Sequence, residues 1–212
     1  MLAAMSTEPR RRAGRLVSGG AIKEAATALF LEKGYQATSM DEIAAAAQVS
    51  KQTIYTHFAN KEALFADLVL GNAARVDGFV AEIAATANSP DAASALRKVA
   101  RRYIHFVIRP EVLRLRRLVI GEAARFPELA REYHERVPGR VYDALADLLS
   151  AFAAAGKLKI SDAHLAAHHF AWLTLGMALD AAMFGVNARA TEKELDPIAD
   201  EAVRVFLAAY AR

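Results

Sequence analysis

Apolar positions recur along this chain at helical spacing and nowhere show the sustained alternation of a strand. In "AIKEAATALFLEKG", Ile22, Ala25, Ala26, Leu29 and Phe30 fall at the i, i+3, i+4, i+7 and i+8 positions of one buried helical face. Gly34 follows where a left-handed C-terminal cap is expected. "TSMDEIAAAA" opens with Ser39 and Glu42 in capping-box spacing and places Met40, Ile43, Ala44 and Ala47 on one face. The connector "QVS" leaves room only for a tight turn, and Ser50 is placed to cap a third helix. Asn60 is placed to cap a long fourth helix, "KEALFADLVLGNAARVDGFVAEIAA", and "TANSPDAAS" is the first loop signal after it. The pattern then predicts helices over about 92–108, 111–125, 128–155, 161–185 and 192–210, with a break near Pro138 and Gly139. Pro110 and Pro127 mark boundaries, and Gly156 and Gly185 stand at expected C-terminal caps. The expected fold class is all-α.

The third helix is unusual. "VSKQTIYTHF" uses β-branched, aromatic and hydrogen-bonding residues where its neighbours use alanine, leucine and glutamate. With Ile54 facing inward at about 100° per residue, Phe58 falls on the same side and Gln52, Thr53, Tyr55 and Thr56 fall away. Two short helices joined by a tight turn form a helix-turn-helix, and the outward residues have the reach that base edges and phosphates require. Lys51 and Gln52 stand near the helix N-terminus, where base edges are read. Thr53 offers a methyl to thymine and a hydroxyl to phosphate, and Tyr55, His57 and Lys61 suit phosphate contacts that set position. The competing reading is that these side chains are simply solvated, with the Tyr55 ring packed on the first helix.

Composition narrows the alternatives. Apolar residues make up 54% and charged residues 24%, as in a soluble globular chain. Cysteine is absent, which excludes disulfides, thiolate catalysis and zinc–thiolate sites. The first residues, "MLAAMSTEPRRRAGR", lack the apolar core of a secretory signal. The most apolar stretch, "AHLAAHHFAWLTLGMALDAAMFG", carries three histidines and Asp180 and falls short of a membrane span, so a cytoplasmic protein without a membrane partner is expected. A net charge of +3 is too small for purely non-specific nucleic-acid binding. Arg10, Arg11, Arg12 and Arg15 crowd the N-terminal arm; it reads either as a solvated disordered tail or as an arm reaching the minor groove, with Arg12 among its contacts.

Taken together, "IKEAATALFLEKGYQATSMDEIAAAAQVSKQTIYTHFANKEALF" resembles the DNA-binding domain of TetR-type transcriptional regulators over about residues 21–65. The resemblance rests on Ala26, Phe30, Gly34, Tyr35, Thr38, Ile43, Ala44, Val49, Ser50, Tyr55, Phe58, Lys61 and Leu64. It implies DNA contacts from Ser39, Lys51, Gln52, Thr53, Tyr55, His57 and Lys61. One departure is Gln48, where the family has glycine; a positive φ there would cost about 1 kcal/mol relative to glycine. "RLRRLVIGEAARFPELAREYHERV" resembles a C-terminal subgroup linked to efflux or stress genes.

The expected organisation is a disordered basic arm over 1–17, a helix-turn-helix DNA-binding domain over 18–65 and, as the resemblance implies, a helical effector-binding and dimerisation domain over 66–212. It implies a homodimeric regulator, a repressor released from a palindromic DNA operator by a small-molecule effector. The alternatives are an activator of the same fold or a helical small-molecule-binding protein. No enzyme motif and no cofactor is indicated. The dimer face is expected on "LAAHHFAWLTLGMALDAAMF", with Ala171, Gly176 and Ala178 permitting close approach, and on the stripe Ile198, Ala202, Val205, Phe206 and Ala209; a monomer core is the competing reading. Pocket candidates are Phe79, Tyr103, Phe106, Leu118, Phe126, His169, Trp172 and Met177, against ordinary core packing. His164 and His168 share a face, but no third ligand stands nearby, so no metal is expected. A basic stretch from Arg97 to Arg117 reads mostly as solvated helix faces, with one member available to an acidic effector.

Overall fold

Short loops and helical periodicity give an all-α architecture. The computed structural model describes residues 8–71, 74–186 and 191–211, with side chains from residue 19 onward except that of Ala74. The chain divides into two units, Met1–Gly71 and Asn72–Arg212.

The first unit contains α1 (Glu8–Lys33), α2 (Met40–Ala46), α3 (Lys51–His57) and α4 (Lys61–Gly71). Ile22, Ala26, Phe30, Ile43, Ile54, Leu64 and Phe65 close its core. Phe65 meets Phe30 edge-on at 5.4 Å and lies 4.9 Å from the Tyr35 ring, so α4 belongs to this core and carries the unit beyond the expected boundary at residue 65. The helix start at Glu8 corrects the expected disordered arm: backbone 8–17 is helical, with Pro9 in the first turn, where its missing N–H costs nothing. Arg12 lies in that stretch, outside the described side chains.

The end of α2 explains the departure at Gln48. The Gln48 amide donates to the Ala45 carbonyl at 3.1 Å and the Val49 amide to the Ala44 carbonyl at 3.0 Å, the paired bonds of a Schellman cap. That cap needs a left-handed residue, and Gln48 adopts φ 55°. At the start of α2, Ser39 and Glu42 form the expected capping box, and Lys33 of α1 donates to Glu42 at 2.9 Å.

The second unit contains α5 (Ala74–Ala84), α6 (Ala92–Val107), α7 (Pro110–Gly121), α8 (Pro127–His134), α9 (Arg140–Ala154), α10 (Ala163–Met183) and α11 (Glu192–Tyr210). The expected long helix over 61–85 is thus described as α4 and α5, with residues 72–73 outside the described residues. The expected break at Pro138 is a π-helical turn, Glu135–Gly139. Proline has no N–H and its ring would strike the His134 carbonyl in a regular helix; the wider turn relieves both problems. Gly139 completes it, since a Cβ there would lie 3.1 Å from the His134 oxygen. The core is built by α6, α9, α10 and α11 around Leu96, Tyr103, Leu149, Phe152, Phe170 and Phe206. Bidentate Arg101–Asp200 bonds of 2.8 and 2.5 Å tie α6 to α11. No helix among the described residues is long and apolar enough to cross a membrane.

Two stability outcomes follow. Gln48→Gly is expected to stabilise the first unit by roughly 0.5–1 kcal/mol in chemical denaturation, because glycine adopts positive φ without the Cβ clash; a loss of stability contradicts the strain. The Lys33 ammonium, with the Ser39 amide and hydroxyl, holds the Glu42 carboxyl at about 2, below its ordinary 4.5. A depressed carboxyl stabilises the fold above its unfolded pKa and loses that contribution as pH falls through the folded one. Thermal melts are therefore expected to show Glu42→Gln removing part of the acid sensitivity between pH 4.5 and about 2; parallel curves for the two proteins contradict it.

Candidate nucleic-acid interface

α3 is held from one side. Ile54 is fully buried, whereas Lys51, Gln52, Tyr55 and Thr56 are exposed and Thr53 and His57 are half-exposed. The Ser50 hydroxyl accepts from the Thr53 amide at 3.1 Å, and the Phe58 amide closes the far end on the Ile54 carbonyl at 2.9 Å. The outward face therefore combines an amide side chain, a phenol 45% exposed, and a lysine at the helix start.

The side chains implied to touch DNA divide into distinct situations. Gln52 and Tyr55 point to solvent. The Thr53 hydroxyl sits 2.8 Å from that of Ser50, so it belongs to the cap. Ser39 caps α2, accepting from the Glu42 amide at 3.1 Å. The His57 ring lies close to Gly19 of α1, whose added Cβ would meet its Nδ1 at 3.4 Å. Lys61, of which a phosphate contact is expected, is held by its own unit. Its ammonium donates to the carbonyls of Tyr35 and Thr38 at 2.9 and 2.8 Å and lies 4.3 Å from the Tyr35 ring centroid. The carbonyls between α1 and α2 and the aromatic face draw the cation inward, so Lys61 pins the loop from which α2 starts.

Asp41 was not legible as a functional residue. It sits in the first turn of α2, and its carboxylate pairs with Lys51 across the turn, Nζ to Oδ1 at 2.8 Å and to Oδ2 at 3.0 Å. This hydrogen bond raises the Lys51 pKa. The pair is exposed, so it contributes little to stability. Its effect is electrostatic: Asp41 fixes Lys51 in direction and places a negative charge beside the residues that would meet a phosphate backbone.

In the second unit, α7, α8, the π turn, α9 and α10 enclose a cavity of about 380 Å³. Its wall includes Arg116, Tyr133, Tyr142, Trp172, Leu179 and Asp180. Of the pocket residues expected from sequence, Trp172 is on this wall; Tyr103, Phe106, Leu118, Phe126, His169 and Met177 are not. Tyr103 and Phe106 instead stack on Phe79 at 5.3 and 5.4 Å inside the core, the packing that helical spacing favours for aromatic residues. Leu118 is half-buried, and Phe126 precedes α8 as its N-cap residue. His169 bonds the Tyr210 hydroxyl at 2.6 Å, and Met177 is 68% exposed. His168 lies against the Tyr142 ring at 4.3 Å, while His164 stands 3.9 Å from Asp143.

Comparison with known proteins agrees with both halves of this arrangement. Residues 22–68 match the family described as bacterial regulatory proteins, tetR family, and residues 94–212 match the AefR-like transcriptional repressor C-terminal domain. The chain belongs to the TetR family. It is a DNA-binding transcriptional regulator with an N-terminal helix-turn-helix. A TetR-family transcriptional regulator from Mesorhizobium loti is 36% identical, with TM-score 0.85 over 93% of this chain and 98% of that one. The flavonoid-responsive regulator FrrA is 34% identical, with TM-score 0.71 over 92% and 97% of the two chains. The Bacillus subtilis HTH-type regulator YhgD is 55% identical over 47 residues, 22% of this chain and 25% of that protein. The match to this curated relative thus spans about a quarter of its length.

Asp41→Asn is expected to raise affinity for random duplex DNA about three- to tenfold at fixed salt, since a negative charge leaves a surface facing phosphates. Fluorescence anisotropy checks it; unchanged or weaker random-duplex binding contradicts the role given to Asp41.

Proposed function

We propose that this TetR-family regulator is a cytoplasmic homodimeric repressor, not an enzyme, released from a palindromic operator by a small-molecule effector. The observation that carries the reading is the double role available to α10. This helix supplies Trp172, Gly176, Leu179, Asp180 and Met183 to the cavity wall, while Leu165, Leu173 and Met177 on it, and Phe184 just after it, are exposed. Phe184 is 81% exposed, an apolar surface suited to a second copy. The match of residues 94–212 to a repressor C-terminal domain supports the sign of the regulation.

α11 contributes less to that surface than its stripe suggests. Ala202 and Phe206 are buried in the monomer core, as is Ala171 of α10, leaving Val205 and Ala209 outward and Ile198 half-buried. In the proposed complex each copy presents α3 to one major groove, with half-sites about 34–36 Å apart or a multiple of that. Gln52 and Lys51 read base edges, while Tyr55, His57 and Ser39 position the backbone, with Thr53 holding the cap. An effector against α10 would act by favouring one helix spacing over the other, which requires different affinities for the two states.

The double variant Met177→Glu, Phe184→Glu is expected to be monomeric at micromolar concentration with unchanged helicity. Its operator affinity is expected to fall on the order of 100-fold through loss of the second reading head. Light scattering with anisotropy checks this; a persistent dimer, or a monomer with undiminished operator affinity, contradicts the two-headed reading.

A further inference from the structure

The arginines on α6 and α7 are mostly spoken for. Arg101 binds Asp196 and Asp200, and Arg102 binds Glu82 through two bonds. Arg117 donates to the Ala182 carbonyl near the end of α10 at 2.9 Å. Arg116 differs. It lines the cavity, and it forms no ion pair among the described residues. Around it stand Tyr133 and Tyr142, only 6% and 9% exposed. Burial pushes both phenols above their usual range, against a smaller opposing pull from Arg116. Both therefore stay protonated and able to donate. The Arg116 guanidinium lies near the Tyr133 phenol and lowers its pKa a little against the effect of burial; as a donor only, it leaves the phenol O–H to donate elsewhere. A half-buried cation and two buried phenolic O–H groups thus line one cavity, the donor set of an anion site.

The rest of the wall limits what that anion is attached to. Val119, Ile120, Leu179 and Met183 are apolar, and the flat Trp172 indole borders a stretch of helix without a side chain at Gly176. Asp180 is exposed on the same wall, so a second negative charge at the outer end of a ligand would meet a carboxylate. The volume of about 380 Å³ is near the small end of ligand sites and suits two or three rings rather than a long chain.

We propose that this cavity takes a planar aromatic monoanion, acid end inward at Arg116, Tyr133 and Tyr142, with its rings along Trp172. The inference rests on reading the cavity as the effector site and adds the ligand's chemical class to it.

The test uses the full-length protein and three biphenyl probes alike in shape: the para-carboxylate, the matching carboxamide and the matching aminomethyl cation. Calorimetry is expected to rank the carboxylate about tenfold or more above the carboxamide, as a charge-assisted bond warrants, with the cation weakest. Quenching of Trp172, the only tryptophan in the chain, is expected to follow the same order. Arg116→Gln is expected to erase the advantage of the carboxylate while leaving carboxamide affinity within about twofold, and Arg116→Lys to restore part of it. The proposal is overturned if the cation or the carboxamide binds as tightly as the carboxylate, if Arg116→Gln weakens all three alike, or if none binds. Should Arg116→Gln fail to fold, the wild-type ranking and Tyr133→Phe, expected to weaken the carboxylate selectively, decide the matter. Anisotropy on the operator selected from random DNA separates this from the effector reading. Arg116-dependent binding that leaves operator affinity unchanged defeats the effector role and keeps the ligand class; release by the cation but not the carboxylate does the reverse.

Discussion

A seven-residue helix has no stability of its own in water, because nucleation costs more than so few hydrogen bonds return. α3 is that short, and its β-branched and aromatic residues are poor helix formers. It exists because Ile54 is fully buried against the rest of the first unit, a contact worth about 1.5–3 kcal/mol. The Ser50 cap at its start and the Phe58 amide at its end complete the fixing. Since the stabilising contacts all lie on the back and at the ends, Gln52 and Tyr55 in front are free to be chosen for what they touch. The same logic explains Lys61: its ammonium secures the carbonyls ahead of α2, and α2 in turn sets where α3 begins.

Much of this is legible in the amino-acid sequence. Ile22, Ala26 and Phe30 announced α1 by spacing, and Ser39 with Glu42 announced the capping box, because both depend only on local geometry. Gln48 was legible as an oddity, and its positive φ shows that the turn keeps its shape at the cost of some strain. Asp41 and the inward turn of Lys61 were not legible. Each depends on a partner across a loop, ten residues away for Asp41 and as far as 26 for Lys61, which no periodicity encodes.

The second unit was harder to read for a related reason. Its helices are apolar on broad faces, so spacing alone does not separate residues that fill the core from residues that bound a cavity. Tyr103 and Phe106 both stack on Phe79. Nine residues of unbroken α-helix would set Tyr133 and Tyr142 on opposite faces; the π turn between them shifts that phase, and both line the cavity. Arg116 was visible only as one of many arginines, until its neighbours were seen to be satisfied by Asp196, Asp200, Glu82 and a helix-end carbonyl.

The central claim is that the outward face of α3 reads DNA sequence while its inward face holds it in place. Selection of bound duplexes from random DNA, run in parallel for the wild type and Gln52→Ala, tests this most directly. The expected result is a two-fold symmetric motif for the wild type, with base preference lost at one position of each half-site in the variant and the remainder of the motif kept. Recovery of no symmetric motif, or of the same motif with undiminished preference from Gln52→Ala, contradicts it.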